Sequence, residues 1–185
     1  MPSAITHAMV GAALAPLAPR PLRRAGLAVA LAAVAVLPDA DVLAFRFGIP
    51  YTHPLGHRGI SHSLFFAALV ALVLARAFYP SAQLGARRRC ALAVLLFAAA
   101  ASHGLLDACT NGGSGVAFFL PFSEARVFFP WRPIAVSPLS ARTFFSDRGW
   151  AILRSEAAWV WLPTALALAA VLAARRWMIE RSLER

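Results

Sequence analysis

The chain has 185 residues, of which 60% are hydrophobic and only 14% are charged. An average soluble domain has roughly 45–50% apolar and about 25% charged residues, so this composition excludes an ordinary soluble protein. The net charge is +10, and every basic residue is an arginine. The apolar runs between the arginines exclude a disordered basic tail and argue against nucleic acid as a partner.

Five apolar segments are predicted to be helices, and four of them approach the roughly 17 to 25 residues that cross a bilayer. The first segment, Ala4 to Ala18, is shorter and contains His7 and Pro16, so we expect it to insert only in part. The four predicted spans are Ala25 to about Phe45, Leu64 to Tyr79, Cys90 to Leu106 and Ala157 to Ala174. The sequence therefore predicts an all-α membrane protein, a bundle of about five helices that forms one integral-membrane domain over residues 1–185.

The arginines predict the orientation of this bundle. No positive charge precedes the first segment, as it would in a signal peptide, so we expect an uncleaved segment with its N-terminus outside. Alternation of the five segments then places eleven arginines in 32 cytoplasmic residues and seven in 76 residues on the other side. This bias follows the positive-inside rule. It predicts a multi-pass protein of a bacterial-type inner membrane.

The two cysteines are predicted to be free thiols. Cys90 begins the fourth helix and Cys109 follows its other end. A rise of 1.5 Å per residue separates them by nearly 30 Å, far beyond the reach of a disulfide bond.

Histidines and aspartates gather at the outer ends of four segments. At membrane depth an ionisable group costs a few kcal/mol unless it is paired, hydrated or metal-bound. Imidazole and carboxylate ligands suit zinc, manganese or iron. We therefore predict a divalent metal site on the extracytoplasmic side, with the following candidate ligands: His7, Asp39, Asp41, His57, His62, His103 and Asp107.

The spacing of these residues leaves alternatives open. His103 and Asp107 are four residues apart on one helical face, where they can ligate one ion or form a hydrogen-bonded pair between helices. Asp39 and Asp41 would point about 200° apart in a continuing helix, so both face one centre only if the backbone bends there. Otherwise they are solvated carboxylates at a helix end. His7 alone would be a core histidine more often than a ligand.

The histidines before the third helix do not share a helical face. His57 and His62 are five residues apart, which places His57 in the preceding loop and His62 in the first helical turn. Ser61 is predicted to cap this helix. His53, between Thr52 and Pro54, is predicted to be a loop residue.

These motifs resemble the YdjM family of inner-membrane metal-dependent hydrolases. The resemblance runs in order through Thr6-His7, residues 37–41, residues 57–63, residues 102–107, residues 110–113 and two stretches between residues 121 and 134. It implies a membrane-bound hydrolase.

The order is also similar, more distantly, to the zinc-dependent phospholipase C and single-strand nuclease superfamily. That resemblance implies one metal site from Asp39 or Asp41, His57 or His62, His103 and Asp107. It also implies that Asp107 is shared with a second ion that His7 helps to bind. No histidine follows His103, so we expect one or two ions, zinc first, and no third.

The expected chemistry is phosphoester hydrolysis of a lipid-like substrate. A metal pair activates water and polarises a phosphoryl oxygen without a serine or cysteine nucleophile. The catalytic candidates are Arg58, predicted to stabilise negative charge on the substrate, and Asp39. The alternative for Arg58 is an interfacial arginine near lipid headgroups. Thr110 and Arg132, within the matched motifs, are the candidate substrate-binding residues.

Residues 107–156 are predicted to form an extracytoplasmic cover. Nine of the 20 aromatic residues lie between residues 114 and 150, and four prolines interrupt them. Such a segment suits the headgroup level, where it admits a lipid to the site or only anchors the bundle. Arginines among aromatics also suit single-stranded nucleic acid, but a position outside the membrane disfavours that partner. Membrane lipids and a phosphoester substrate are the expected partners.

Two other functions compete with hydrolysis. A metal-ion or small-solute transporter would bind an ion in transit in the same cluster, although no matching polar set continues toward the cytoplasmic side. A membrane scaffold would use the cluster only for structure.

Overall fold

The described part of the chain is mainly helical. The computed structural model describes residues 1–19, 22, 25–78, 85–138, 144 and 146–183. The α-helices are α1 Ala4–Ala13, α2 Ala25–Val36, α3 Leu64–Phe78, α4 Ala86–Ala108, α5 Asp147–Glu156 and α6 Leu162–Leu183. The described residues also include the 3-10 helices Ala15–Leu17, Leu37–Phe47 and Ile60–His62 and a π turn, Ala157–Trp161. The predicted all-α fold class is confirmed.

Within the described residues, three helical stretches are long and apolar enough to cross a membrane, namely Gly26–Phe47, Ala86–Ala108 and Asp147–Ser182. The predicted span that begins at Leu64 is helical over Leu64–Phe78. Its 15 residues are roughly 22 Å long, shorter than the ~30 Å hydrocarbon core of a bilayer. Ala4–Leu17 is also short. Residues 79–84 and the predicted cytoplasmic arginines 20, 23 and 24 lie outside the described residues.

The last long helix begins earlier than its apolar run. The predicted cover, residues 107–156, is helical from Asp147 onward, because α5 continues through the π turn into α6. Arg148 and Arg154 lower the hydropathy of α5, which hides this helix from a search for apolar runs. Cys90 and Cys109 are both free thiols, as predicted.

Helices α1 to α4 pack around a core of alanine, leucine and valine side chains. Leu31, Ala35 and Ala99 are fully buried in this core. Gly11 on α1 permits the closest approach, because a Cβ atom there would lie 2.4 Å from the carbonyl oxygen of Leu31 and 2.7 Å from the Cβ of Ala35. Small residues at such contacts let membrane helices approach closely.

Replacement of Gly11 by alanine is expected to separate α1 from α2. The added methyl group overlaps the Leu31 carbonyl, and overpacking of this kind costs about 1–3 kcal/mol. Thermal unfolding in detergent measures the loss. Gly26→Ala is the matched control, since a Cβ there meets nothing within 4 Å and alanine favours the helix. Equal midpoints for the two variants would contradict this packing.

The buried carboxylate of Glu156 connects the last long helix to the start of α1 through hydrogen bonds. Glu156 accepts hydrogen bonds from the backbone N–H of Ser3 and from the hydroxyl groups of Ser3 and Thr6, the latter two at 2.6 Å. Trp161 Nε1 donates to Thr6 Oγ1 at 2.7 Å. A π turn aligns residues five apart, which brings Glu156 and Trp161 to the same hydroxyl group. These contacts hold the first turn of α1, where His7 follows Thr6.

Residues 108–137 fold over the ends of α3 and α4. Val116 and Val127 exchange backbone hydrogen bonds of 2.9 Å, and the N–H of Phe129 donates to the carbonyl of Ala108 at 3.0 Å. The Leu64 N–H at the start of α3 donates to the carbonyl of Phe118 at 3.0 Å. Phe122 is 84% exposed. Backbone pairing therefore holds the cover, which leaves part of its aromatic surface outward.

Candidate metal centre

The ends of four antiparallel segments meet at one place. His7 lies in the first turns of α1, and Asp39 and Asp41 lie in the 3-10 helix that continues α2. The loop and short 3-10 helix before α3, and the last turns of α4, supply the others. Successive helices run in opposite directions, so the start of one lies beside the end of the next. The fold brings all seven predicted ligands together: His7, Asp39, Asp41, His57, His62, His103 and Asp107.

Two triads within this cluster have the spacing of metal ligands. One is His7, His103 and Asp107, and the other is Asp39, His57 and His62; within each triad the ligand atoms lie within 4.8 Å of one another.

Carboxylates connect the two triads. His103 Nε2 is 3.2 Å from Asp39 Oδ1, and His62 Nε2 is 3.5 Å from Asp107 Oδ2. This continuity suits one ion or two neighbouring ions.

Many buried polar atoms of the cluster have no hydrogen-bond partner in the described part of the chain. Buried polar groups are normally hydrogen-bonded, and each exception needs an explanation. The exceptions among possible metal ligands are His7 Nδ1 and Nε2, both carboxylate oxygens of Asp39, His62 Nε2, His103 Nε2 and both carboxylate oxygens of Asp107. Several of them lie 2.9–4.0 Å from an oppositely charged group without hydrogen-bond geometry. Nitrogen and oxygen atoms of this kind are the ligands that zinc and related divalent metals take. The residues present therefore fit a divalent cation.

The charge of the cluster also favours a cation. Three carboxylates and the Arg58 guanidinium leave a formal charge of −2 when the imidazoles are neutral, which one divalent ion balances. Burial by itself lowers the pKa of His62, yet the carboxylates of Asp107 and Asp41 raise that pKa to about 9. The surroundings of His62 thus attract positive charge, either a proton or a metal ion.

The two aspartates after α2 have different surroundings. The 3-10 conformation places residues two apart at about 120° to each other, against about 160° in an α-helix. Asp39 faces His103 and His62, and both of its oxygens lack a hydrogen-bond partner. Asp41 instead faces the loop before α3. The backbone thus adopts the tighter 3-10 conformation at the two aspartates.

The Asp41 carboxylate holds the loop that contains two candidate ligands. Its Oδ1 lies 2.7 Å from His57 Nδ1, and its Oδ2 accepts from Ser61 Oγ at 2.6 Å and from the backbone N–H of Arg58 at 3.2 Å. Its Oδ2 is also 3.1 Å from His62 Nδ1. Carboxylates that bond the distal nitrogen of a metal-ligating histidine fix its tautomer and orientation.

Asp41→Asn is expected to weaken metal binding by about 10–100-fold while the fold remains. Asparagine keeps the shape of the side chain but offers one acceptor oxygen in place of two, so one histidine loses its partner. Metal titration of the purified protein followed by equilibrium dialysis measures the change. Asp147→Asn, on the exposed start of α5, is the control. Unchanged affinity in Asp41→Asn would exclude this orienting role.

His103 is oriented by the backbone. Its Nδ1 lies 2.7 Å from the carbonyl oxygen of Ala35 on α2, which directs Nε2 into the cluster. The ring of His103 stacks on that of His7 with centroids 3.7 Å apart. In this geometry Nδ1 carries the hydrogen and donates it to the Ala35 carbonyl, and the lone pair of Nε2 is available to bind a metal ion.

Arg58 is buried beside the cluster and is 1% exposed. Its Nε lies 2.9 Å from Asp107 Oδ2, and its two terminal nitrogens donate to the Gly112 carbonyl at 2.9 Å and to Thr110 Oγ1 at 3.0 Å. Its φ of 61° is in the left-handed region, which is rare for a side chain of this size. The burial excludes the alternative of an arginine exposed to headgroups. These contacts favour a role in holding Asp107.

The predicted substrate-binding residues lie in different surroundings. Thr110 is fully buried, accepts from Arg58 and donates to the Asp107 carbonyl at 2.7 Å. Arg132 is exposed, and its guanidinium carbon lies 4.7 Å from the Phe128 ring centroid. The guanidinium of Arg58 is 5.9 Å from the same ring. Thr110 therefore supports Arg58 and Asp107, and Arg132 reaches solvent near them.

One further residue, Arg126, organises the loop before α3. Arg126 donates to the carbonyls of Tyr51, His53, His57 and Arg58 at 3.2–3.4 Å. No sequence signal identifies this role, because backbone carbonyls carry no side-chain identity.

The prediction that Ser61 caps α3 is wrong. The α3 N-cap is Ser63, whose Oγ accepts from the Phe66 N–H at 3.0 Å. Ser61 instead donates to Asp41, because the intervening 3-10 turn delays the start of the helix. His53 is an exposed loop residue, as predicted.

The chain is similar to known inner membrane proteins over nearly its whole length. A family model described as YdjM inner membrane protein matches residues 1–178. Inner membrane protein YbcI of Escherichia coli (strain K12) is 39% identical over 171 residues, which cover 88% of this chain and 92% of the relative. No solved structure matches the chain. The more distant resemblance to the phospholipase C and nuclease superfamily stays a prediction.

Proposed function

The chain belongs to the YdjM inner membrane protein family, and on that premise we propose that it is a membrane-bound, metal-dependent hydrolase of phosphoesters in lipid-like substrates. The observation that carries the proposal is the set of buried imidazole nitrogens and carboxylate oxygens that have no hydrogen-bond partner among the described residues. A polar atom without a hydrogen bond is unfavourable inside an apolar bundle, and one divalent ion can bind several of these atoms at once. Zinc, and then manganese or iron, suits this ligand set, with one or two ions.

His7, His103 and Asp107 would hold one ion, and Asp39, His57 and His62 a second or shared one. When bound, the metal supplies Lewis acidity that lowers the pKa of water and polarises a phosphoryl oxygen. Among these ligands, Asp39 is the catalytic candidate. The side chain of Asp39 is 10% exposed while that of Asp107 is fully buried, so Asp39 is the carboxylate nearer the surface, although its two oxygen atoms are themselves buried.

The surface next to Asp39 supports a lipid-like substrate. The same 3-10 helix presents exposed apolar side chains, with Leu43 51% and Phe47 82% exposed. The Phe45 ring lies 6.3 Å from that of His57, which brings this apolar face to the cluster. A substrate with an acyl chain would bury these side chains while its phosphoester reaches Asp39. Under the predicted orientation this surface faces the outside of the membrane.

A transporter of metal ions or small solutes is the competing function. Ion pathways through a bundle carry polar or ionisable groups along their length. In the described part of the chain, no buried polar or charged side chain lies within residues 8–38 or 64–102, which form most of α1 to α4. This apolar core opposes a pathway and favours a site that works at one face.

The decisive experiment combines metal analysis with turnover and flux. Full-length protein in detergent is analysed for metals, then assayed with phospholipids and nucleotide esters in added zinc or manganese. We expect stoichiometric metal and phosphoester hydrolysis that His57→Ala removes and that the exposed control His53→Ala retains. The same protein in sealed vesicles is expected to show no metal flux. If metal-loaded protein shows no turnover and the vesicles show metal flux, the results would support the transporter and contradict the hydrolase.

A further inference from the structure

A second candidate binding site lies at the opposite end of the bundle. A cleft of about 610 Å³ opens between residues 17–19 and the C-terminal half of α6. Arg175 in this cleft is 19 residues beyond Glu156, which contacts α1 beside the metal centre, a distance of roughly 28 Å along the helix. The hydrocarbon core of a bilayer is about 30 Å thick. The cleft and the metal centre therefore lie at opposite faces of the membrane.

Arginine dominates the charge of the cleft. Arg175 and Arg176 both line it, and no acidic residue does so among the described residues. The guanidinium of Arg175 donates to the carbonyls of Pro16 and Leu17 at 3.2 and 3.1 Å, which fixes it in the cleft wall. Glu180 is exposed on the same helix outside the lining. A fixed guanidinium beside a second one is suited to a phosphate group.

The remaining wall is apolar. Leu172 and Ile179 line the cleft from α6, and Met178, also in the lining, is 56% exposed. The volume falls within the roughly 300–1,000 Å³ of typical ligand pockets. Only 6% of the most apolar 18-residue stretch of the helix Asp147–Ser182 is buried within the protein, so most of this helix is available to lipid. Paired arginines next to an apolar wall at a membrane face match an acidic phospholipid, which carries a phosphodiester and acyl chains.

We propose that this cleft binds one acidic phospholipid, with its phosphate at Arg175 and Arg176 and an acyl chain along Leu172 and Ile179. Free phosphate offers the same charge without the chain, and a second copy of the protein offers the apolar surface without the phosphate. The amphipathic lining favours the lipid over both. The proposal is independent of hydrolysis at the metal centre.

The test measures lipid binding to full-length protein by native mass spectrometry. Phosphatidylglycerol and phosphatidylcholine with identical acyl chains are titrated in neutral detergent. We expect one tightly bound phosphatidylglycerol and weaker binding of phosphatidylcholine. Each arginine near a membrane surface contributes about fivefold in affinity for acidic lipid. Arg176→Gln should therefore weaken phosphatidylglycerol binding about fivefold, and Arg175→Gln with Arg176→Gln about 25-fold.

The matched control is Arg148→Gln with Arg154→Gln, which removes two exposed arginines from the other end of the same long helix and should leave binding unchanged. Arg176→Gln keeps the Arg175 contacts with the 3-10 helix, so it decides the matter if the double variant fails to fold. Wild-type binding in Arg176→Gln, or equal loss in the control, would overturn the proposal. So would displacement of the lipid by equimolar inorganic phosphate, or a dimer that excludes lipid.

Discussion

His103→Gln combined with Asp107→Asn is expected to remove bound metal from the purified protein. Both residues belong to one candidate triad with His7, and Asp107 also approaches the second triad through His62. The double variant therefore removes two ligands of the first triad, and one of them is the carboxylate that also lies near the second triad. Loss of a supporting partner alone weakens metal sites about 10–100-fold, so loss of two ligands should exceed that range. Elemental analysis after dialysis measures the metal content.

The control for this pair is His53→Gln with Asp147→Asn, which makes the same chemical changes at exposed positions outside the cluster. Its metal content and turnover should equal those of the wild type. Single variants show whether the ions are shared: Asp107→Asn should release more metal than His103→Gln if Asp107 serves two ions. Wild-type metal content in the double variant would show that the cluster is not the metal site.

Arg58→Met is expected to destabilise the protein by about 3–5 kcal/mol. The substitution keeps an apolar stem but removes the guanidinium that lies 2.9 Å from Asp107 Oδ2. Breaking one side of a buried ion pair leaves the other charge uncompensated, which is the source of this large effect. Thr110 and the Gly112 carbonyl lose their donor as well. Thermal or denaturant unfolding in detergent measures the change.

Arg132→Met is the matched control, because Arg132 is exposed and its guanidinium lies against the Phe128 ring. Its effect should stay within about 0.5 kcal/mol, as for most surface substitutions. Arg58→Lys separates the two roles considered for Arg58, since lysine keeps the charge without the planar fork. Loss of turnover with full stability and metal content in Arg58→Lys would favour direct contact with substrate charge. Loss of metal and stability together would favour the positioning of Asp107.

Most of the candidate metal centre was predictable because ionisable residues are rare in this chain. In an apolar bundle each histidine or aspartate requires a partner, and alternation of the helices placed the candidates at one face. The structure brings His7 to His103 across two helices, although His7 alone has no motif. Helical periodicity predicted that Asp39 and Asp41 face one centre only if the backbone bends there; the structure has a 3-10 helix at this place, in which Asp39 faces His103 and Asp41 faces His57.

The remaining features depend on contacts that sequence spacing does not encode. Asp41, rather than Asp39, bonds the loop of His57 because the 3-10 helix turns it outward. The Ala35 carbonyl orients His103, and four backbone carbonyls between residues 51 and 58 bind Arg126. Every residue has a backbone carbonyl, so only the folded structure determines which carbonyl accepts a given hydrogen bond.

The sequence by itself determined the class of protein and the set of candidate ligands, since apolar length and isolated polar residues are local properties. The tertiary structure alone decided which ligands face one another, that Arg58 is buried against Asp107, and that Glu156 fastens the last long helix to α1. The physical reason is that these relations arise from the packing of segments up to about 150 residues apart. Directions of side chains in packed segments follow from the final arrangement of backbones, and no local pattern specifies them.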